Sequence, residues 1–172
     1  MRISRTWAMP SRHTFTIYPI RGMITSVLSK HPGLWVDPFA GFNSPCEETN
    51  DLNPDAPTKY HMEAVEFVKQ YKRIDGILFD PPYSPRQMSE CYKSIGMTPT
   101  RKHTQNARLY CEVKDEATKR MRKGAIAVSF GWNSNGFGKK RGFKMIEILL
   151  VAHGAAHNDT IVTIEEKEGG EG

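Results

Sequence analysis

The sequence predicts an α/β fold: a sandwich on a mostly parallel sheet, with one antiparallel strand near its end. Three observations carry this. Short apolar runs of strand type alternate with stretches of helical period along most of the chain. Two of those runs end on an aspartate followed by proline, at Asp37-Pro38 and Asp80-Pro81, as strands that stop at a turn do. The last two runs, Phe143 to Ala152 and Thr160 to Glu165, have no helix between them. They are joined by Gly154-Ala155-Ala156-His157-Asn158-Asp159, which has the composition of a hairpin loop.

Taken in order, His13 to Ile20 alternates and is read as a short strand ending at Pro19. Arg21 to Lys30 carries Met23, Ile24, Val27 and Leu28 at helical spacing, and His31-Pro32-Gly33 stops it. Leu34-Trp35-Val36 is a strand running into Asp37. Ser44-Pro45-Cys46-Glu47 has the composition of a helix start: Ser caps, Pro suits the first turn and Glu47 reaches back. Asp51 follows so soon that this first helix must be short, because a βαβ crossover normally needs about a dozen residues. Ala64 to Lys72 is helical. Ile74 to Phe79 is a buried-type strand ending at Asp80. Arg108 to Lys123 is a long amphipathic helix ended by Gly124, and Ala125 to Phe130 is the next strand. The acidic, glycine-rich end from Glu165 should fray. A single domain over 1–166 with a flexible tail at 167–172 is therefore expected.

Composition narrows the class. A chain of 172 residues suggests one domain, and no stretch approaches the roughly 20 apolar residues that cross a bilayer. Cys46, Cys91 and Cys111 are widely spaced and read as reduced cytosolic thiols, so a cytoplasmic location is expected. The formal net charge is +5, unevenly spread. Residues 84–142 hold 13 Lys/Arg against 4 Asp/Glu, a balance of +9, and the remainder balances at −4. This excess suggests either a surface facing a polyanion or, for Lys114, Lys119, Arg120, Arg122 and Lys123, a solvated helix face.

The chemistry is concentrated in Asp80-Pro81-Pro82-Tyr83. An aromatic exocyclic amine is a poor nucleophile because its lone pair is delocalised into the ring. Acceptors that hold its two N–H groups favour a pyramidal nitrogen and take up developing positive charge. Asp80 offers a carboxylate and Pro81 a backbone carbonyl. The paired prolines fix φ and aim that carbonyl, and Tyr83 presents a flat face to an extruded base. In this reading the catalytic residues are Asp80, Pro81, Pro82 and Tyr83.

Asp37-Pro38-Phe39-Ala40-Gly41 resembles the DPFxGxGT cofactor motif of amino-type DNA methyltransferases, and together with DPPY the chain resembles their adenine-N6 branch. The order, cofactor motif first, resembles one of the family's permuted classes. The resemblance implies a Rossmann-like class I methyltransferase fold with a seven-stranded sheet. It also implies an S-adenosyl-L-methionine site at Asp37, Phe39, Ala40, Gly41, Asp51, Glu63 and Asp80. Asp51 would bind the ribose hydroxyls and Glu63 would lie near the cofactor's adenine, or Glu63 would simply begin a helix. Phe15 to Ile20 resembles the family's extra cofactor segment. Asn43 and Ser44 replace the second glycine and the threonine of the motif, and no segment is large enough for the usual target-recognition domain.

That absence directs attention to the loops. Arg86, Arg101 and Lys102 after DPPY, and Lys139, Lys140 and Arg141 after the next strand, are candidates for phosphate contacts. Trp132 either stacks on a base or packs at the strand end. Gly131, Gly136, Gly138 and Gly142 suggest a mobile loop. His153 and His157 are read as structural or exposed rather than as metal ligands, and methyl transfer from a sulfonium needs no metal. The expected partner is DNA, with RNA as the alternative, and a second copy or a separate specificity subunit is left open. The expected enzyme is a small adenine-specific DNA methyltransferase of the kind a phage or mobile element carries. The alternatives are an RNA base amino-methyltransferase (guanine N2 or adenine N6) and a non-catalytic cofactor- or nucleic-acid-binding subunit.

Overall fold

The computed structural model describes residues 1–83, 85–94, 96, 98, 106–154 and 156–169. Among these, seven strands form one sheet: β1 (Arg2–Trp7), β2 (Trp35–Asp37), β3 (Glu48–Thr49), β4 (Ile74–Phe79), β5 (Met121–Gly131), β6 (Phe143–Ala152) and β7 (Thr160–Lys167). Four helices flank it: α1 (Tyr18–Lys30), α2 (Ala64–Lys69), α3 (Pro85–Ser94) and α4 (Asn106–Arg120). The spatial order is β1-β6-β7-β5-β4-β2-β3. Only β7 runs antiparallel, against both β5 and β6. From β2 the chain passes to β3 on one side and later to β4 on the other. This creates a crevice beyond the carboxyl ends of β2 and β4, where open α/β sheets bind ligands.

The strand period of two sorts the core into two layers. Ile126, Val128 and Phe130 of β5 face α1, meeting Ile20, Ile24 and Val27. Ala125 and Ala127 face the other way, toward Phe67 and Val68 of α2 and Val113 and Ala117 of α4. Trp35 lies over Gly76 of β4, its cross-strand partner, and donates its indole N–H to the His31 carbonyl at 2.8 Å. A Cβ on Gly76 would overlap the indole. Gly76→Ala is therefore expected to cost about 1–3 kcal/mol, the usual range for overpacking. Thermal unfolding would show this as a fall of roughly 2–4 °C per kcal/mol; an unchanged melting temperature would mean that the indole moves aside freely.

Several expectations are corrected. Residues 13–20 are not a strand. Thr14–Thr16 is a 3-10 turn and α1 begins at Tyr18. The alternation of Phe15 and Ile17 reflects burial of both side chains. The Thr16 hydroxyl closes the turn on the His13 carbonyl at 2.8 Å, and Pro19 opens the helix rather than ending a strand. Ser44 starts no helix. Its hydroxyl donates to Asp37 Oδ2 at 2.6 Å, and the connection to β3 is made of turns. The last long helix stops at Arg120, and Gly124, at φ +84, lies where β5 is irregular against Asp75. The sequence also missed β1, which adds parallel to β6 at the sheet edge. At the other terminus Glu165, Glu166 and Lys167 do not fray but complete β7, and Lys167 Nζ donates to the Thr118 carbonyl at 2.6 Å.

Candidate functional site

A cleft of about 520 Å³ opens at the crevice. Phe39, Ala40 and Gly41 line it from the end of β2, Asp51 from the end of β3, Glu63 from the start of α2 and Asp80-Pro81-Pro82-Tyr83 from the end of β4. Residues scattered over more than forty positions thus share one wall, as strand ends at a topological switch should.

The β2 loop is built by two carboxylates. Asp37 is fully buried beneath the cleft and does not line it, contrary to its expected place in the cofactor site. Its Oδ1 accepts from the Phe39 N–H at 3.1 Å and its Oδ2 from the Ser44 hydroxyl. Burial raises its pKa to about 7 despite those two hydrogen bonds, with further upward pushes from Asp80 and Asp51. Asp51 accepts from the Gly41 N–H at 3.0 Å through Oδ2 and from the Asn53 N–H at 2.8 Å through Oδ1. Gly41 sits at φ +55, a left-handed conformation that glycine adopts without strain. Phe39 meets the rings of Phe79 and Tyr110 edge-on at 5.5 and 5.9 Å.

Asp80 is held on two sides. The Tyr83 hydroxyl donates to its Oδ1, and the Thr14 hydroxyl reaches it from the turn before α1. Burial raises its pKa to about 6 against the opposing effect of these hydrogen bonds. Burial, with the adjacent Asp80 charge, also pushes the Tyr83 phenol up. The Tyr83 ring packs against Trp132 at 5.6 Å, near edge-to-face. The Tyr110 hydroxyl donates to the Pro82 carbonyl, which locks the proline turn to α4. Glu63 receives the Tyr92 hydroxyl of α3 at 3.4 Å from either carboxylate oxygen.

Sequence reasoning missed Asn50, Thr14 and Tyr92. Asn50, only 1% exposed, donates through Nδ2 to the Pro38 and Met62 carbonyls and accepts the Met62 N–H, tying the β2 loop to the approach to α2. The signal was the Asn-Asp pair at 50–51, read only for its acid. Thr14 and Tyr92 carry no local signal, since their partners lie 66 and 29 positions away in the chain.

The expected phosphate contacts do not gather in the cleft. Arg86 is exposed on α3 and paired with Glu90 at 2.8 Å. Lys139 and Lys140 are exposed on a 3-10 turn, whereas Arg141 is spent on Asp115 at 2.7 Å and the Phe137 carbonyl at 3.0 Å. Arg101 and Lys102 lie outside the described residues. On α4, Lys119 and Arg120 pair with Glu116, as on a solvated helix face, but Lys114 turns inward to the Gly136 carbonyl. The loop of residues 132–142 is anchored rather than free. Buried Glu165 accepts the Phe137 and Gly138 N–H groups at 2.5 and 3.0 Å. His153 is buried with its ring nitrogens on the Ala8 carbonyl and the Thr160 hydroxyl, both at 2.9 Å.

Neither a protein-family model nor any curated protein matches the chain by sequence. Solved structures do match by shape. TrmN from Thermus thermophilus superposes with a TM-score of 0.59 at 15% identity, over 88% of this chain and 49% of that one. The chain thus shares the Rossmann-like α/β fold of that structure. The chain spans about half the length of the TrmN chain it matches. NSun6 from Pyrococcus horikoshii, solved with SFG, gives a TM-score of 0.48 at 15% identity over 96% of this chain and 47% of that one.

Proposed function

We propose that the protein is an S-adenosylmethionine-dependent methyltransferase acting on adenine N6 of DNA. One observation carries the reading: Asp80-Pro81-Pro82-Tyr83 shares a single cleft with Phe39–Gly41, Asp51 and Glu63. The cleft's size falls in the roughly 300–1,000 Å³ range of small-molecule sites. Its donor set fits the cofactor. Asp51 offers acceptors for two ribose hydroxyls, Gly41 brings backbone to the cleft wall, and the Glu63 carboxylate in the same wall would accept from the cofactor's adenine amine.

Bound there, S-adenosylmethionine supplies an electrophilic methyl group on a sulfonium. Asp80 and the Pro81 carbonyl accept the two N–H groups of the target amine and hold its lone pair toward that methyl. Such a cofactor would give up its methyl with the S–C electron pair left on sulfur, so the target nitrogen would gain a methyl and have to lose one proton. Asp80, a carboxylate in the cleft wall, would receive that proton. Tyr83 would exchange its hydrogen bond to Asp80 for the incoming amine, with its ring beside the base. An aspartate at the first position of the motif favours adenine over cytosine, whose N4 enzymes usually carry serine there.

The test is methyl transfer from labelled cofactor to adenine-only and cytosine-only oligonucleotides, as DNA and as RNA, with nucleosides identified by mass spectrometry. N6-methyldeoxyadenosine is expected. Label confined to cytosine, or to RNA, would overturn the adenine-DNA assignment. No transfer and no calorimetric cofactor binding would favour a non-catalytic subunit.

A further inference from the structure

We propose that the rim of the cleft is a stacking platform for an unpaired nucleic-acid strand, with Trp132 and Phe42 taking bases that flank the one entering. The inference rests on the methyltransferase reading for its substrate class and adds how that substrate is presented. Two large aromatic side chains stand in water at this end of the sheet, Trp132 at 43% and Phe42 at 48% exposure. Each leans on a residue of the cleft wall. Trp132 meets Tyr83 at 5.6 Å, and Phe42 meets His13 at 5.9 Å, also near edge-on. The aromatic row therefore continues from the motif tyrosine out onto the surface.

Both residues sit on fixed backbone. Trp132 follows β5 directly and leads into the segment pinned by Glu165, Lys114 and Arg141. Phe42 follows Gly41, whose N–H is held by Asp51, and precedes Ser44, whose hydroxyl is held by Asp37. A rigid aromatic side chain loses little conformational entropy on binding, so its contact area is converted efficiently into affinity. The surroundings suit a polyanion. Arg12 is exposed and lines the cleft beside His13, and Lys139 and Lys140 are exposed on the Trp132 loop. Asn133, Ser134 and Asn135 are exposed next to Trp132 and present amides and a hydroxyl to base edges.

An unpaired strand is favoured over a duplex because a protein ring stacks only on a base face that no neighbouring base covers. In a duplex both faces are covered, whereas in a single strand, a loop or a bulge they are accessible. The basic groups then track the backbone without reading sequence.

The test uses the full chain with Trp7→Phe, which leaves Trp132 as the exposed tryptophan, since Trp35 is buried. It is titrated at fixed salt with a 12-nucleotide single strand as DNA, the same sequence as RNA, and the blunt DNA duplex. Quenching of tryptophan emission by the single strands is expected, with affinity at least about 5-fold above that for the duplex. The tighter of the two single strands names the natural one. Trp132→Ala is expected to weaken single-strand binding by roughly 5- to 160-fold, the range for one stacked base, and Trp132→Phe to restore most of it. Equal affinity for the duplex, or no loss in Trp132→Ala while its circular dichroism is unchanged, would overturn the platform. Calorimetry with S-adenosylmethionine on the same preparations separates the two ideas: absent cofactor binding would count against methyl transfer and leave the strand-binding result to stand or fall on its own.

Discussion

An Asp80→Ala variant is expected to lose at least about 100-fold in methyl-transfer rate while its cofactor dissociation constant changes less than about 5-fold. The magnitude follows from deleting one preorganised polar partner of the reacting group, which typically costs 10²–10³ in rate. The asymmetry follows from the layout. Asp80 lies on the β4 side of the cleft, whereas Gly41, Asp51 and Glu63 come from the segments after β2 and β3. The same carboxylate sets a pH dependence. Its pKa, raised by burial to about 6, means that below this value it already carries a proton and can no longer take up the one that the methylated amine must lose. The wild-type rate should therefore fall as pH drops through about 6. Asp80→Asn, which keeps one acceptor and cannot titrate, should show a low rate that is flat from pH 5 to 8. Initial rates across that range check both statements. A rate in Asp80→Ala within tenfold of wild type would move the chemistry elsewhere in the cleft.

How much of this was legible follows from how local each determinant is. Strand β4 was read to the residue, because six consecutive residues of one pattern end at a proline turn. The parallel sheet and terminal hairpin were legible from the spacing of the apolar runs. Strand β1 was not. Its positions alternate between exposed and half-buried, but the apolar Ile3 and Trp7 take the exposed ones and Ser4 and Thr6 the half-buried ones, so the residue pattern does not mark a buried face. The N-terminal turn was misread because Phe15 and Ile17 are buried by an irregular segment that mimics period two. That the residues of the two motifs line one cleft follows from their place at strand ends, which four or five consecutive positions reveal. Asp37 shows the limit. Its position in the motif was clear, but its direction, down into Ser44 rather than out into the cleft, depends on a turn that the sequence presented as a helix start. Glu165 shows the same limit at the other end: an acidic tail residue by composition, it is the buried acceptor that fixes the loop holding Trp132.

The misplaced Asp37 yields the second large effect. Asp37→Asn is expected to stabilise the protein above pH 7 and to leave it unchanged below about pH 4. The carboxyl is fully buried and its pKa rises from 3.8 to about 7, chiefly through desolvation. A carboxyl whose folded pKa exceeds its unfolded value binds its proton more tightly in the native state. Its contribution is fully present below pH 3.8 and is lost as pH rises through about 7. At roughly 1.4 kcal/mol per unit, the ionised form costs the native state a few kcal/mol by pH 8. An asparagine removes that cost and keeps the local bonds. Its Oδ1 accepts the Phe39 N–H, and its Nδ2 donates to the Ser44 oxygen that now receives a hydrogen bond instead of giving one. At about 2–4 °C per kcal/mol for a chain of this size, the melting temperature at pH 8 should rise by on the order of 10 °C. Melts at pH 4, 6 and 8 measure it, and the gap between variant and wild type should open as pH rises. A variant less stable at pH 8 than at pH 4, relative to wild type, would show that the ionised carboxylate's hydrogen bonds outweigh its desolvation. Because Asp37 lies under the cleft rather than in it, cofactor affinity in Asp37→Asn should stay within a few-fold of wild type, which separates the residue that shapes the loop from those proposed to touch the cofactor.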